Sequence, residues 1–310
     1  MKRVIAFLGI IASTMTVSCN RRTEISGMQS NEIVFGVENG MNINVTTKAV
    51  TETTAGTLEN NGFRVSASIY DLYDNEWVDN LFDNIDVIKI GDVWKDPAMS
   101  RFYPAGDYTF CFYAAYSSYC DVSIDDVDQI VYDYKLDTSD DFVTAFEDGI
   151  EAQSTPVHLT FNHALAQASF SIKGADTDVE YKLNRLSVKF PSNGDFEIRR
   201  NRWDYTNNTK STKTIFSGTK SISTSASSPI GETMTFLPGK IELTANWTCY
   251  IKGTSTVAAQ YEKTAELTLT QGVKSFVEIL LPDNDAAKIT FTVTVNPWET
   301  ERFQVVMGEL

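Results

Sequence analysis

Histidine, cysteine and positive charge are all scarce in this chain, and long apolar runs are missing beyond its first segment. Of 310 residues only two are histidine, His158 and His163. Neither lies near a Gly-x-Ser-x-Gly elbow or a comparable nucleophile motif, so a histidine-based hydrolase has no support. Both read as structural residues beside a strand at Leu159 and Phe161. The four cysteines include no Cys-x-x-Cys pair, which removes the usual zinc and thiol-redox patterns. Acidic residues stand at Asp71/Asp74, Asp125-Asp126-Asp128 and Asp137/Asp140/Asp141 without an Asp-x-Asp-x-Asp-Gly loop to shape them for calcium. They read as solvated acidic loops, and no metal site or cofactor is expected. No glycine-rich phosphate loop is present. Twenty-six basic residues against 41 acidic ones give a net charge of −15, a poor match for the phosphates of nucleic acid. Forty-one carboxylates will always offer some plausible pair for glycoside hydrolysis, so that signal is empty.

What is present begins at the amino terminus. Lys2 and Arg3 precede an almost uncharged run from Val4 to Val17, closed by Ser18-Cys19. This is the layout of a bacterial export signal. The run is shorter than the about 20 apolar residues needed to cross roughly 30 Å of hydrocarbon, and Asn20-Arg21-Arg22 follow at once. Thr16-Val17-Ser18-Cys19 resembles a lipobox, which makes Cys19 the expected palmitoyl-bearing first residue of the mature chain. The plainer alternative is a simple cleaved signal with Cys19 as an ordinary residue. Processing leaves a length that suggests two domains of ~150 residues.

Export permits disulfides. Cys111, Cys120 and Cys249 are an odd number, so at most one internal bridge forms. Cys111 and Cys120 flank a turn-like Tyr116-Ser117-Ser118-Tyr119 and are either that bridge or two half-buried thiols.

Period-two alternation dominates the rest, as expected for strands with one buried face. Ile241, Leu243, Ala245, Trp247, Cys249 and Ile251 alternate with Glu242, Thr244, Asn246, Thr248, Tyr250 and Lys252. That places Trp247 and Cys249 in a core. Ile289-Phe291-Val293-Val295, Phe63-Val65-Ala67-Ile69, Tyr108-Phe110-Phe112-Ala114 and Ala168-Phe170-Ile172 follow the same rule. Turn signals at Asn61-Gly62, Pro104-Ala105-Gly106-Asp107, Ser192-Asn193-Gly194-Asp195, Pro238-Gly239 and Gln271-Gly272 punctuate them. Many short strands with such turns predict an all-β sandwich. One helix is expected over Asp140 to Asp148, capped by Ser139 and ended by Gly149. The polar stretch Gly149–Pro156 is the expected domain boundary. Asn201–Ser228 reads as long surface loops around one or two edge strands. Trp77, Trp94 and Trp203 sit among polar neighbours and are expected at the surface, where they could stack on sugars.

Several motifs occur in a fixed order: the lipobox, then Thr46-Thr47-Lys48-Ala49, then Phe102-Tyr103-Pro104 running into DYTFCFYAAY. HALAQASFSI from His163, Phe236-Leu237-Pro238-Gly239, and Val293-Thr294-Val295-Asn296-Pro297-Trp298-Glu299 follow. Together, over roughly residues 30 to 310, they resemble the fimbrillin-like (Mfa-like) proteins of Bacteroidales, the subunits and accessory lipoproteins of type V pili. The resemblance implies two tandem transthyretin-like β-sandwich domains and export as a lipoprotein to the cell outer membrane. It implies a structural rather than enzymatic role in a fimbrium and in adhesion. The expected division is signal 1–18, N-terminal segment 19–48, first sandwich 49–154 and second sandwich 155–310. Implied partners are other subunits, a trypsin-like processing protease, the membrane through lipid on Cys19, and host or bacterial surface ligands. The family is cut after a basic residue, usually arginine. Lys48 is the matching position, or else merely a surface lysine.

Such a cut has a physical reading. Ile33, Phe35 and Val37 alternate as an edge strand of the first domain, with Ile43 and Val45 as a second piece. Losing them would leave unpaired backbone groups and an uncovered core. A neighbour's strand could then complement that slot. Phe303, Val305 and Met307 form one face of the chain's end and are the candidate donor, or else the last strand of their own domain. The rival readings are a glycan-binding cell-surface lipoprotein, which would need an exposed aromatic platform, and a surface hydrolase, which would need a clustered acid pair.

Overall fold

The structure is a computed structural model that describes residues 32–37, 53, 55–74, 76–125, 128–284 and 286–298. Cys19, Lys48, Ile43, Val45, Phe303, Val305 and Met307 lie outside the described residues. The first part comprises β1 (Phe35–Val37), α1 (Ala55–Asn61), β2 (Phe63–Asp71), β3 (Glu76–Ile90), β4 (Val93–Lys95) and β5 (Tyr108–Ser117). It continues through β6 (Ile130–Lys135), β7 (Phe142–Glu151), β8 (Val157–Leu159) and β9 (Asn162–His163). The second part holds β10 (Ala166–Gly174), β11 (Val179–Pro191), β12 (Asn193–Glu197), β13 (Arg202–Asp204) and β14 (Lys210–Ile222). β15 (Ser228–Phe236), β16 (Gly239–Ile251), β17 (Val257–Leu269), β18 (Val273–Leu281) and β19 (Thr290–Pro297) complete it. The protein is nearly all β, with several sheets packed in sandwich fashion.

Two four-stranded sheets, β15-β10-β18-β19 and β14-β11-β16-β17, share one core. The alternation predicted along β16 explains it. Ile241, Leu243, Ala245, Trp247 and Cys249 are buried, and only Ile251 at the strand end is exposed. The Trp247 indole N–H donates to the Pro282 carbonyl at 3.1 Å, so burial leaves its one donor satisfied. The predicted face of β19 is less covered. Phe291 packs on the core, but Val293 is partly exposed, because β19 is the edge strand of its sheet.

An eight-stranded sheet, ordered β8-β1-β4-β3-β2-β5-β7-β9, surrounds a second core. Phe63, Val65 and Ala67 of β2 and Phe110, Phe112 and Ala114 of β5 fill it, as alternation predicted. β5 also buries Cys111, Tyr113 and Ala115 on its other face. These join a third cluster with the small sheet β13-β12-β6 and with Leu165, Phe196, Leu237 and Trp298, linking the two parts of the chain.

Two local expectations are corrected. Residues 142–151 are strand β7, not a helix, because Val143 and Ala145 enter the second core while β7 pairs with β5 and β9. Gly149, at φ 65°, lies where the β5–β7 register shifts, so it makes a bulge rather than a helix cap. Among the described residues the helix is α1 instead. The N–H of Gly62 returns to the Leu58 carbonyl at 2.7 Å with φ +74°, and a Cβ there would meet the Val87 oxygen at 2.5 Å. Within 201–228 lie two edge strands, β13 and the 13-residue β14, in keeping with the expected one or two. Asp140 and Asp141 are fully buried rather than solvated.

Candidate functional site

The predicted edge segment occupies an interior slot. β1 pairs antiparallel with β4 through Phe35↔Trp94 and parallel with β8 through Phe35↔Val157, Gly36↔His158 and Val37↔Leu159. Ile33, Phe35 and Val37 are all buried in the second core. Odd positions face inward because side chains alternate along an extended chain. The Phe35 ring meets Phe63 and Phe112 edge-on, with centroids 6.5 and 5.8 Å away. Backbone bonds extend the ladder. The Ile33 N–H donates to the Arg101 carbonyl at 2.7 Å, and the Val157 N–H donates to the Val34 carbonyl at 2.9 Å. The fit is close, since a Cβ on Gly36 would stand 3.3 Å from His158 Nδ1.

The rim of this slot was not foreseen. The Asp96 carboxylate accepts the Ala98 N–H at 2.7 Å and the Arg101 side chain at 2.8 Å. Burial opposes ionisation of Asp96, but these hydrogen bonds and the guanidinium charge outweigh it and hold the carboxyl below its ordinary range. The pair fixes the loop whose Arg101 carbonyl receives Ile33 and whose Phe102 bridges to Glu32. Lys95 Nζ lies 3.9 Å from Glu32. Buried Tyr103 packs on Phe110 at 4.9 Å, and burial pushes its hydroxyl up to about 12. Asp96-Pro97-Ala98, an aspartate before a proline, was the sequence signal for this turn.

A second buried constellation joins Thr53, Asp141, His163 and Trp298. Asp141 accepts the Thr53 backbone N–H at 2.5 Å and lies 2.8 Å from His163 Nδ1. His163 in turn stacks on Trp298. Asp140 accepts hydrogen bonds from Ser117 at 2.8 Å and Ser118 at 2.7 Å, and from the Tyr134 hydroxyl. His158, by contrast, is exposed beside Gly36.

The remaining candidates are dispersed. Cys111, Cys120 and Cys249 are free thiols, so the possible Cys111–Cys120 bridge is absent. Burial raises all three thiols above their ordinary range. The three-tryptophan platform fails. Trp94 is buried in the slot wall, and Trp203 is half-buried with its indole N–H on the Ala164 carbonyl at 2.7 Å. Trp77 alone of the three is well exposed. Among the described residues no group of three or more His, Cys, Asp or Glu side chains could hold a metal ion, and no helix is long and apolar enough to cross a membrane.

Comparison with known proteins agrees with this architecture. A profile of the family described as fimbrillin-like matches residues 36–298. No curated protein matches. Among solved structures, a fimbrial protein of Bacteroides vulgatus is similar in fold, at 15% identity and a TM-score of 0.55. The match covers 86% of this chain and 99% of that one. A candidate cell adhesion protein of Bacteroides ovatus matches at 14% identity and a TM-score of 0.48, over 91% of this chain and 100% of that one. The family is structural, so the chain is not an enzyme. On the family match over most of its length, this chain belongs to the fimbrillin-like family.

Proposed function

We propose that this protein is a cell-surface component of a type V pilus that contributes to adhesion and assembles by strand exchange. The observation that carries the reading is the placement of β1: a three-residue strand held between two other short strands, with buried side chains at Ile33, Phe35 and Val37. Removing it would expose the backbone edges of both β4 and β8 and unroof Phe63, Phe112 and Trp94. Three such side chains contribute on the order of 5–8 kcal/mol of burial before ordering entropy is subtracted. A replacement strand of similar pattern from a neighbour would recover that burial and the ladder bonds. Phe303, Val305 and Met307 supply such a pattern.

In this scheme the chain is exported as a lipoprotein on Cys19, and a trypsin-like protease cuts after Lys48. That cut severs β1 from everything after residue 48, so the segment stays only through noncovalent contacts and can leave. In this reading a division of the two sandwich units near residue 164 accommodates the pairing of β8 and β9 in the eight-stranded sheet. A subunit of the shaft loses the segment, whereas an anchor keeps lipidated Cys19.

The deciding experiment identifies the amino terminus of cell-associated protein by mass spectrometry, alongside a variant carrying cysteines at Val37 and Leu159. Mature subunits are expected to begin at Ala49. The paired cysteines should block polymer formation under oxidising conditions and permit it on reduction. Polymer of unchanged amount from the oxidised variant would overturn the strand-exchange reading.

A further inference from the structure

A cleft of about 610 Å³ opens where β3 passes the turn between β12 and β13. Its size falls within the range of small-ligand sites. The floor is polar and buried. Gln129 Nε2 donates to Ser68 Oγ at 3.4 Å, and the Ser68 hydroxyl donates to Asn80 Oδ1 at 3.4 Å, with Tyr113 beside them. Trp77, 47% exposed, forms one wall. The Arg199 guanidinium stands 5.6 Å from the Trp77 ring and 5.9 Å from the Phe146 ring, which holds its planar fork at the cleft edge. Asp79 and Asp128 complete the mouth. Glu197 is shared between Arg200 at 3.1 Å and Arg202 at 2.8 Å.

We propose that this cleft binds an uncharged saccharide. A pyranose presents an apolar C–H face and a rim of adjacent hydroxyls. An exposed indole suits the first. The second suits planar side chains that exchange paired hydrogen bonds, here Arg199, Asp79, Asp128 and Asn80. Charge argues against the anionic alternatives. The lining sets Asp79, Asp128 and Glu197 against Arg199 and Arg200, one net negative charge, and the chain as a whole carries −15, so phosphate and carboxylated sugars are disfavoured. The cleft involves neither β1 nor the chain ends, so the inference stands apart from strand exchange and its test reads binding rather than assembly.

The test is an immobilised panel of neutral, amino and sialylated oligosaccharides probed with the mature protein, followed by titration of the neutral binders with tryptophan fluorescence. Saturable binding to at least one neutral oligosaccharide is expected. Trp77→Ala and Arg199→Ala should each weaken it at least tenfold while leaving the thermal melt unchanged, since both side chains are at the surface. Asp79→Asn, a milder change, should also weaken binding. No neutral ligand on the panel, binding indifferent to both substitutions, or tighter binding of sialylated than of matched neutral probes would each overturn the proposal.

Discussion

The imidazole of His163 lies flat on the indole of Trp298, with ring centroids 4.2 Å apart and planes 12° from parallel. The same imidazole bonds Asp141, whose other oxygen holds the Thr53 N–H. Thr53 follows the candidate cut at Lys48, and Trp298 precedes the candidate donor at 303–307. One buried histidine–aspartate pair therefore lies beside the roots of both segments on which the proposed strand exchange depends.

Weakening those contacts should cost stability measurably. Trp298→Ala is expected to lower unfolding free energy by about 3–5 kcal/mol, as for other buried large-to-small changes. Asp141→Asn keeps shape but can accept with only one oxygen, leaving a buried donor unsatisfied at about 1–3 kcal/mol. Urea denaturation of the two variants measures both. A Trp298→Ala midpoint equal to that of the parent would mean that Trp298 is not part of the folded unit.

The β1 slot makes a prediction that depends on processing. In the uncut chain Phe35→Ala should destabilise by about 3–5 kcal/mol, because the ring is buried between Phe63 and Phe112. In a chain that begins at Ala49 the residue is gone, and that chain should melt well below the uncut one unless a complementary peptide is added. Equal melting temperatures for the two chains would contradict the slot's structural weight.

Acid should loosen the rim of the slot. The folded-state carboxyl of Asp96 is lowered relative to its unfolded value, so its contribution is full above the unfolded value of about 4 and declines as pH falls through the folded one. Asp96→Asn removes the charge paired with Arg101. Stability measured at pH 7 and again at pH 3 should differ less for this variant than for the parent. An identical pH response in both would remove Asp96 from the account.

Thiol chemistry offers a separate check. Burial raises Cys111, Cys120 and Cys249 above their ordinary range, and a thiolate is the reactive form. At neutral pH the native protein should label slowly and chiefly at Cys120, the half-buried one. All three should label on unfolding in the absence of reductant. Only one labelled thiol in the unfolded, unreduced protein would reveal a disulfide.

Much of the fold was legible because alternation is a local signal. In β16 five inward residues from Ile241 to Cys249 followed from spacing alone, and so did the inward set of Phe63, Val65 and Ala67. The strand at 142–151 carries a false helix signal, because Asp140 and Asp141 resemble the acidic first turn of a helix. Apart from Tyr134, six residues away, their real partners, Ser117, Ser118, His163 and Thr53, are far away along the chain. Trp94 was misplaced for a similar reason. Its sequence neighbours Asp92, Lys95 and Asp96 are polar, yet alternation turns the ring itself into the core.

Ile33, Phe35 and Val37 were marked by sequence as a strand, since their spacing gives them one apolar face whatever surrounds them. Which strands flank them, in which direction, and that they sit inside the sheet rather than at its border depended on the whole chain closing around them. β4 and β8 are distant in sequence, and their pairing energy exists only once loop closure has brought them together. The same holds for the Trp77 cleft, where residues from 68 to 200 become neighbours only in three dimensions. Backbone periodicity is encoded residue by residue, whereas slots and clefts arise from contacts between segments that the chain order does not specify.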